Sequence, residues 1–170
     1  MVARCIVITD GPTFKMGKKG LDRAIISAAI AGILISTYAL FVEMTAEADS
    51  DYKAFCDLAE KVSCSNVLTS DFSKGFGIAE KGSVWEIPNC IYGIVFYCLM
   101  IIMTTYDQLC VVQMQFLTAM LSVVMCVYLA YLLLFILQDF CVICVSTYLV
   151  NIGIATLVYK KLNYVLKKCH

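Results

Sequence analysis

Four long windows of the sequence contain no Asp, Glu, Lys or Arg, and they constrain the fold more than any other feature. They cover residues 24–42, 87–106, 108–138 and 140–159, and the shortest has 19 residues. About 20 apolar residues in a helix cross the roughly 30 Å hydrocarbon core of a bilayer. Because lipid cannot hydrogen-bond to the backbone, each window is expected to be helical. The sequence therefore predicts an all-α membrane protein built as one domain, a four-transmembrane-helix bundle.

Composition supports this class, since 61% of the 170 residues are apolar and the mean hydropathy is +0.84. A soluble domain is nearer half apolar. Ala46-Glu47-Ala48 resembles a signal-peptidase site, but the long apolar run before it favours an uncleaved anchor. The loop at 43–88, between the first two spans, is predicted to form a lumenal loop and cap. The four spans are predicted at 24–42, 89–106, 109–137 and 140–159.

The placement of charge predicts the orientation in the membrane. Residues 1–23 contain five Lys/Arg and two Asp, and the tail at 160–170 contains four Lys and no acid. Residues 43–86 contain nine acids and four Lys. Because basic flanks stay in the cytosol, both termini are expected there and the 43–88 loop is expected in the lumen. The basic residues are thus membrane flanks, and no nucleic-acid partner is predicted.

Two cysteine pairs carry the candidate chemistry. Cys141 and Cys144 form a Cys-x-x-Cys pair at the start of the fourth window. On a helix their β-carbons lie roughly 5–6 Å apart on one face, which is close to disulfide reach. The positive end of the helix dipole also favours a thiolate there. Cys56 and Cys64, in the loop, are expected at the same lumenal edge.

Three interpretations of these four cysteines compete: structural disulfides, a four-thiolate metal site, and a thiol relay. Seven residues between Cys56 and Cys64 make a wide gap for a zinc knuckle, so a metal site is disfavoured. In a relay, one pair exchanges with an outside partner and passes electrons to the other pair. We favour the relay, with no metal and no tightly bound cofactor. The apolar surroundings suit a quinone that arrives from the lipid bilayer.

Polar groups near the Cys-x-x-Cys pair are candidate substrate contacts. Tyr148 follows Cys144 by four residues, and Asn89 opens the second span. Either side chain is a candidate donor to a quinone or epoxide oxygen. The only histidine, His170, lies on the tail, so proton transfer is expected to use thiols, tyrosine or water.

Eight short motifs of the chain form a recognisable set. They are Phe55-Cys56-Asp57, Val62-Ser63-Cys64-Ser65, Gly75-Phe76-Gly77, Asn89 with Tyr92-Gly93, Phe96-Tyr97, Asp139-Phe140-Cys141-Val142-Ile143-Cys144, Thr147-Tyr148 and Asn151. Taken together, these motifs resemble the vitamin K epoxide reductase family, which includes a reductase-like paralogue. The resemblance covers residues from about 20 to 160.

The resemblance implies reduction of vitamin K 2,3-epoxide to the quinone and hydroquinone in the endoplasmic reticulum membrane. It implies that Cys144 is the thiolate facing the substrate and that Cys141 is its resolving partner. Cys64 would exchange with Cys141, and Cys56 would lie nearer a lumenal thioredoxin-like thiol donor. The implied redox-active disulfides are Cys56–Cys64 and Cys141–Cys144, with Cys64–Cys141 as an alternative bridge. A dilysine-like end, Lys167-Lys168-Cys169-His170, agrees with that location.

The resemblance also implies a binding pocket for vitamin K and for coumarin-type inhibitors. Asn89 and Tyr148 match the hydrogen-bonding pair of the family. The pocket walls would be Val67, Leu68, Phe76, Tyr92, Phe96, Leu129 and Leu133. The chain departs from the family in having Leu68 for Phe, Phe72 for Trp and Cys90 for Ser. Two alternative functions stay open: a quinone-linked thiol oxidase that promotes disulfide formation, and a non-enzymatic scaffold.

Overall fold

The computed structural model describes residues 17–49, 52–57, 63–70, 72–77 and 87–169. Most of the predicted cytosolic lead-in, residues 78–86 of the predicted cap, and His170 lie outside the described residues. The described helices are α1 (Lys18–Ala48), α2 (Cys64–Leu68), α3 (Asn89–Thr104), α4 (Leu109–Tyr131) and α5 (Val142–Cys169), with a 3-10 turn at Gly75–Gly77 and a π-helical continuation of α4 at Leu132–Leu137.

The all-helical membrane class is confirmed. Among the described residues, three helical stretches are long and apolar enough to cross a bilayer: Lys18–Ala48, Leu109–Leu137 and Val142–Lys167. Helix α3 is apolar but has only 16 residues, a length of about 24 Å. It begins after Pro88, whose backbone has the extended ψ of 133° that ends helix propagation toward the N-terminus. A fourth span at α3 stays a prediction.

The bundle is organised around α1, which packs against both α3 and α5, while α4 packs against α5. Ile25 and Ala29 of α1 meet Tyr97 and Met100 of α3 in one buried cluster, which Ile154 of α5 completes. The outer faces of the helices remain apolar, because residues such as Leu34, Leu121, Val127 and Leu149 are exposed. Acyl chains of a bilayer would cover such faces.

The described part of the loop between α1 and α3 packs down on one end of the bundle. Cys64, Val67 and Leu68 of α2 join Val42 of α1 and Leu133 of α4 in a second buried cluster. The loop then turns through Gly75–Gly77, where all three residues have positive φ. This loop roofs the space between the helices, and that space is the candidate site.

Candidate active site

A cavity of about 310 Å³ lies beneath the loop, within the size range of small-molecule sites. Its walls come from α1, α3, α4, α5 and the loop, and they are mostly apolar. All nine predicted substrate-binding residues line it: Val67, Leu68, Phe76, Asn89, Tyr92, Phe96, Leu129, Leu133 and Tyr148. The structure therefore brings together residues of the loop and of three helices that are far apart in the chain.

Asn89 is tied to the loop more firmly than its sequence position suggests. Its Nδ2 donates to the carbonyl oxygen of Phe72 at 2.8 Å, and its Oδ1 accepts from the backbone N–H of Phe76 at 2.8 Å. These bonds hold Phe76 at φ 58°, a left-handed conformation that a bulky residue rarely adopts. An amide carries two N–H donors, and within the described residues the second N–H of Asn89 has no partner and is available to a ligand.

Tyr148 is the second candidate donor, and it lines the cavity one turn after Cys144 on α5. Its hydroxyl makes no hydrogen bond to any residue in the described part of the chain. Because a phenol hydroxyl both donates and accepts, this group is free to bind a ligand oxygen. Phe76 and Tyr92 stack nearby with ring centroids 5.0 Å apart, and they give the cavity an aromatic wall.

Cys141 and Cys144 are both free thiols in this structure. Cys141 is fully buried and immediately precedes α5, and its Sγ accepts the backbone N–H of Cys144 at 3.2 Å. This contact satisfies an otherwise unpaired N–H of the first turn and favours negative charge on the Cys141 sulfur. Only Cys144 of the pair lines the cavity. The thiolate was expected at Cys144, whereas the helix-end hydrogen bond in this state is made to Cys141.

Cys56 and Cys64 form a disulfide, with Cα atoms 5.8 Å apart. Cys64 is fully buried in the same apolar cluster as Cys141, while Cys56 and Cys144 pack at its edge. The two predicted pairs therefore meet at one end of the bundle. The Cys56–Cys64 bridge is the one predicted disulfide that this redox state contains.

Asp57 organises the turn between the two bridged cysteines. Its Oδ1 accepts from the backbone N–H groups of Cys64 at 2.7 Å and Ser65 at 3.1 Å, and from the Ser63 hydroxyl at 3.0 Å. Its Oδ2 accepts from Ala54 N–H at 2.9 Å and from the Ser65 hydroxyl at 2.5 Å. Burial alone would raise the pKa of Asp57, but the bonds from Ser65, Ala54 and Ser63 lower it to about 2.

A metal site at this turn is disfavoured by the same contacts. One ligand atom each of Cys56, Asp57 and Cys64 lies within 4.8 Å of the others. Both sulfurs are joined to each other, however, and the carboxylate oxygens already accept five hydrogen bonds. This donor set fits a redox disulfide better than a metal centre.

Comparison with known proteins identifies the family. A family model described as "Vitamin K epoxide reductase family" matches residues 23–159. The chain belongs to the vitamin K epoxide reductase family. "Vitamin K epoxide reductase complex subunit 1" of Mus musculus is 35% identical over 140 residues, which cover 80% of this chain and 87% of that protein. The Rattus norvegicus protein of the same description is 33% identical, with the same coverage.

Membership in the vitamin K epoxide reductase family makes the chain an oxidoreductase of the membrane, as the sequence predicted. The matched range contains all four candidate cysteines and all nine candidate wall residues. The catalytic and binding roles of these residues in this family member stay predictions.

The sequence did not predict the acidic side chain in the wall of this cavity. Glu43 of α1 lines it and is 1% exposed. A signal was present, because Ser36, Ala39 and Glu43 follow one another at spacings of three and four and therefore share a helix face. Glu43 was assigned to the acidic loop instead, since it is the first charged residue after the charge-free window.

Proposed function

We propose that this family member reduces vitamin K 2,3-epoxide to the quinone and the quinone to the hydroquinone, with Cys141 and Cys144 as the reducing dithiol. One observation carries the proposal: Cys144 opens onto an apolar cavity, while Cys141 is buried against the loop disulfide. One sulfur is thus placed toward a lipid-soluble oxidant and the other toward an electron source. The two sulfurs have different neighbours although only two residues separate them.

The electrons balance in each step. Two thiols lose two electrons and two protons to form the Cys141–Cys144 disulfide, and the epoxide oxygen leaves as water. In the second reduction the quinone gains two electrons and two protons. A reduced Cys64 would then attack Cys141, and Cys56 would resolve the Cys64–Cys141 bridge. The oxidised loop pair and reduced active pair of this structure match the state after that transfer.

The cavity offers hydrogen-bond donors for the ligand oxygens. The Tyr148 hydroxyl and the second N–H of Asn89 would bind the oxygen of vitamin K or of a coumarin-type inhibitor. Donors held in an apolar pocket stabilise the charge that develops on such an oxygen. The remaining walls, among them Phe96, Leu129 and Leu133, would pack against the ring system and its side chain.

The electron donor is proposed to be a lumenal thioredoxin-like protein that reduces the loop disulfide. Cys56 is partly exposed, and the adjacent Phe55 is 94% exposed. An exposed aromatic ring beside a disulfide would offer a partner an apolar contact next to the sulfur it attacks. Cys64, by contrast, is fully buried in the same apolar cluster as Cys141.

Charge placement supports an orientation with both termini cytosolic, and the family resemblance supports location in the endoplasmic reticulum membrane. The proposed arrangement has residues 1–23 and 160–170 in the cytosol, and the 43–88 loop and cap in the lumen. The four proposed spans keep the bounds 24–42, 89–106, 109–137 and 140–159, with α3 as the short second span.

The proposal is tested by epoxide turnover in membranes with dithiothreitol as the donor. Cys144→Ser is expected to lower turnover by at least about 100-fold, because the attacking sulfur is lost. Cys56→Ser and Cys64→Ser should retain turnover with dithiothreitol and lose it with a thioredoxin-like donor. Cys110→Ser changes an exposed cysteine on α4 and serves as the control. Undiminished turnover by Cys144→Ser would contradict the assignment.

A quinone-linked thiol oxidase is the second candidate function. The Cys56–Cys64 disulfide is the oxidised form that would accept electrons from lumenal thiols, and its Cys56 is partly exposed. Loss of epoxide and oxidation of a reduced lumenal protein are therefore measured in parallel. Oxidation of the protein with quinone, without epoxide turnover, would favour this second function.

A further inference from the structure

Glu43 places a carboxyl group in the wall of the same cavity as Cys144 and Tyr148. It lies near the C-terminal end of α1 and is 1% exposed. Its Oε1 accepts from the Ser73 hydroxyl at 3.4 Å, and its Oε2 accepts from the Cys90 thiol at 3.5 Å. The group is therefore held from two sides, by the loop and by α3.

No cation of the described chain pairs with this carboxyl. The nearest charged neighbours are Lys74 on the loop and Glu47 one turn further along α1, and Lys74 Nζ lies 2.7 Å from Glu47 Oε1. An ionised carboxylate is costly to bury without a paired cation, whereas a carboxylic acid is not. Burial therefore favours the protonated acid, which can donate a proton into the cavity.

We propose that Glu43 is the acid that protonates the substrate oxygen, an inference that rests on the proposed function. Both reductions need protons at an oxygen, and the only histidine of the sequence is His170, at the end of the tail. A buried acid in an apolar pocket is a common proton donor for such chemistry. Ser73 and Cys90 are its positioning residues, because each holds one carboxyl oxygen.

The proton path balances. Glu43 donates to the epoxide oxygen as the C–O bond breaks and the Cys144 sulfur bonds to the carbon, and it regains the proton of the Cys144 thiol. Cys141 then attacks the Cys144 sulfur, and the disulfide forms. The electron pair of the broken C–S bond expels the hydroxyl, which leaves as water with the Cys141 proton. Two thiols are oxidised, the epoxide is reduced, and Glu43 ends protonated.

The test compares Glu43→Gln with Glu47→Gln across a pH series, with dithiothreitol as the donor. The amide in Glu43→Gln would keep the size and an acceptor for Ser73 but lose the acidic proton. We expect Glu43→Gln to lower kcat by about 100-fold with little change in KM, and Glu43→Asp to recover part of it. The wild-type rate is expected to fall at high pH as Glu43 ionises, and this fall should be absent in Glu43→Gln.

Separate variants test the charged and titratable neighbours of Glu43. Glu47→Gln removes the exposed carboxylate that pairs with Lys74, and it is expected to keep kcat. Cys90→Ser removes the neighbouring thiol, and the high-pH fall should persist in that variant. Loss of the fall in Cys90→Ser would assign it to the thiol and overturn the inference.

The outcomes separate this inference from the proposed function. Wild-type protein without epoxide turnover would refute the proposed function. Active wild type with a Glu43→Gln variant of equal kcat at every pH would refute only the role of Glu43. Where Glu43→Gln does not accumulate in membranes, Glu43→Asp decides: a reduced kcat with the high-pH fall retained supports the inference, and a wild-type kcat without that fall overturns it.

Discussion

Asp57 and Glu43 are two carboxyl groups near one redox site, and their surroundings differ in kind. Asp57 accepts five hydrogen bonds from the turn that holds the loop disulfide, so its charged form is stabilised. Glu43 is buried with two weak donors, and the described cation nearest to it, Lys74, pairs with Glu47 instead. The first group is suited to hold a loop, and the second is suited to carry a proton.

Asp57→Asn is expected to weaken the loop turn, because the side-chain amide replaces one acceptor oxygen with an NH2 donor. That NH2 group would face N–H and hydroxyl donors of the turn and could not accept from them. Hydrogen bonds to a charged acceptor contribute about 2 kcal/mol, so reduction of the Cys56–Cys64 bridge through local opening should be roughly 30-fold faster. The rate is measured with dithiothreitol and a maleimide mass shift. Lys53→Gln, an exposed change in the same loop, is the control.

The depressed pKa of Asp57 also sets a pH dependence. The free carboxyl titrates near pH 4, and the folded one at about 2. The charged carboxylate of Asp57 therefore stabilises the loop turn fully above about pH 4, and this stabilisation is lost as the pH falls through 2. The rate of bridge reduction in the Asp57→Asn variant should lack this acid dependence, measured with a phosphine reductant because dithiothreitol carries almost no thiolate below about pH 4. A wild-type reduction rate in that variant would show that the turn does not depend on the carboxylate.

Single residues differ in how far the sequence predicts them. Cys141 and Cys144 are predicted from their spacing at the start of a charge-free window, and Cys56 and Cys64 from their place in the loop expected at the same edge of the membrane. The location of Asn89 at the cavity was predicted by resemblance, but its bonds to Phe72 and Phe76 depend on loop carbonyl and N–H positions that no pattern encodes. Glu43 was missed because charge counting assigned it to the solvent-exposed loop.

At the scale of elements, α1 and α3 approach closely through small side chains. A β-carbon at Gly32 would overlap the ring of buried Tyr97, and a β-carbon at Gly93 would lie 3.0 Å from the Ser36 hydroxyl oxygen. Small residues at such contacts let membrane helices pack with their backbones close together. Because Ser36, Gly93 and Tyr97 all line the cavity, this contact also sets the cavity shape.

Gly32→Ala should therefore displace the Tyr97 ring, destabilise the protein by about 1–3 kcal/mol and weaken quinone binding. Gly153→Ala on α5 is the matched control, because no described atom beyond the neighbouring backbone of α5 itself lies within 4 Å of the added β-carbon. That change should be neutral or slightly stabilising, since alanine favours helix over glycine. Thermal unfolding in detergent, with and without a quinone, measures both. Equal melting temperatures of the two variants would refute the close contact.

Helix ends show where sequence prediction of elements stops. Charge-free windows mark the residues that can lie in lipid. A helix continues beyond such a window where the charged residues that flank it have a high helix propensity. Helix α1 therefore begins at Lys18 and ends at Ala48, and α5 reaches Cys169. The π-helical end of α4 and the left-handed Gln138 after it were not predicted, because they arise where α4 must turn back to place Cys141.

At the scale of the whole molecule, a polar cluster joins the helices at the end opposite Cys141 and Cys144. Lys161 of α5 is fully buried, and its Nζ lies 2.9 Å from Asp22 Oδ1 on α1 and donates to Thr104 O of α3 at 2.8 Å. Gln115 of α4 donates to the Thr104 hydroxyl at 2.8 Å. An ion pair to α1 and hydrogen bonds among α3, α4 and α5 thus link four helices, although Lys161 resembles an ordinary basic flank in the sequence.

Lys161→Met is expected to destabilise the protein, because it removes the cation from Asp22 and the donor from Thr104. Loss of one partner of a buried ion pair costs about 3–5 kcal/mol, but Asp22 is 21% exposed and Lys18 lies 3.9 Å away, so we expect about 2 kcal/mol. For a chain of this size the melting temperature should fall by about 4–8 °C. Lys160→Met, at the exposed neighbouring position, should change it little.

The double variant Asp22→Asn with Lys161→Met separates a pairing role from simple packing. If the loss in Lys161→Met arises from an uncompensated Asp22 charge, removing that charge should restore at least half of the lost melting temperature. The single variant Asp22→Asn completes the comparison, and epoxide turnover should remain near wild type in it, in Lys161→Met and in the double variant at low temperature, because the cluster lies at the far end of the bundle from Cys144. Additive losses in the double variant would show that Lys161 acts through its bond to Thr104 and its packing, rather than through Asp22.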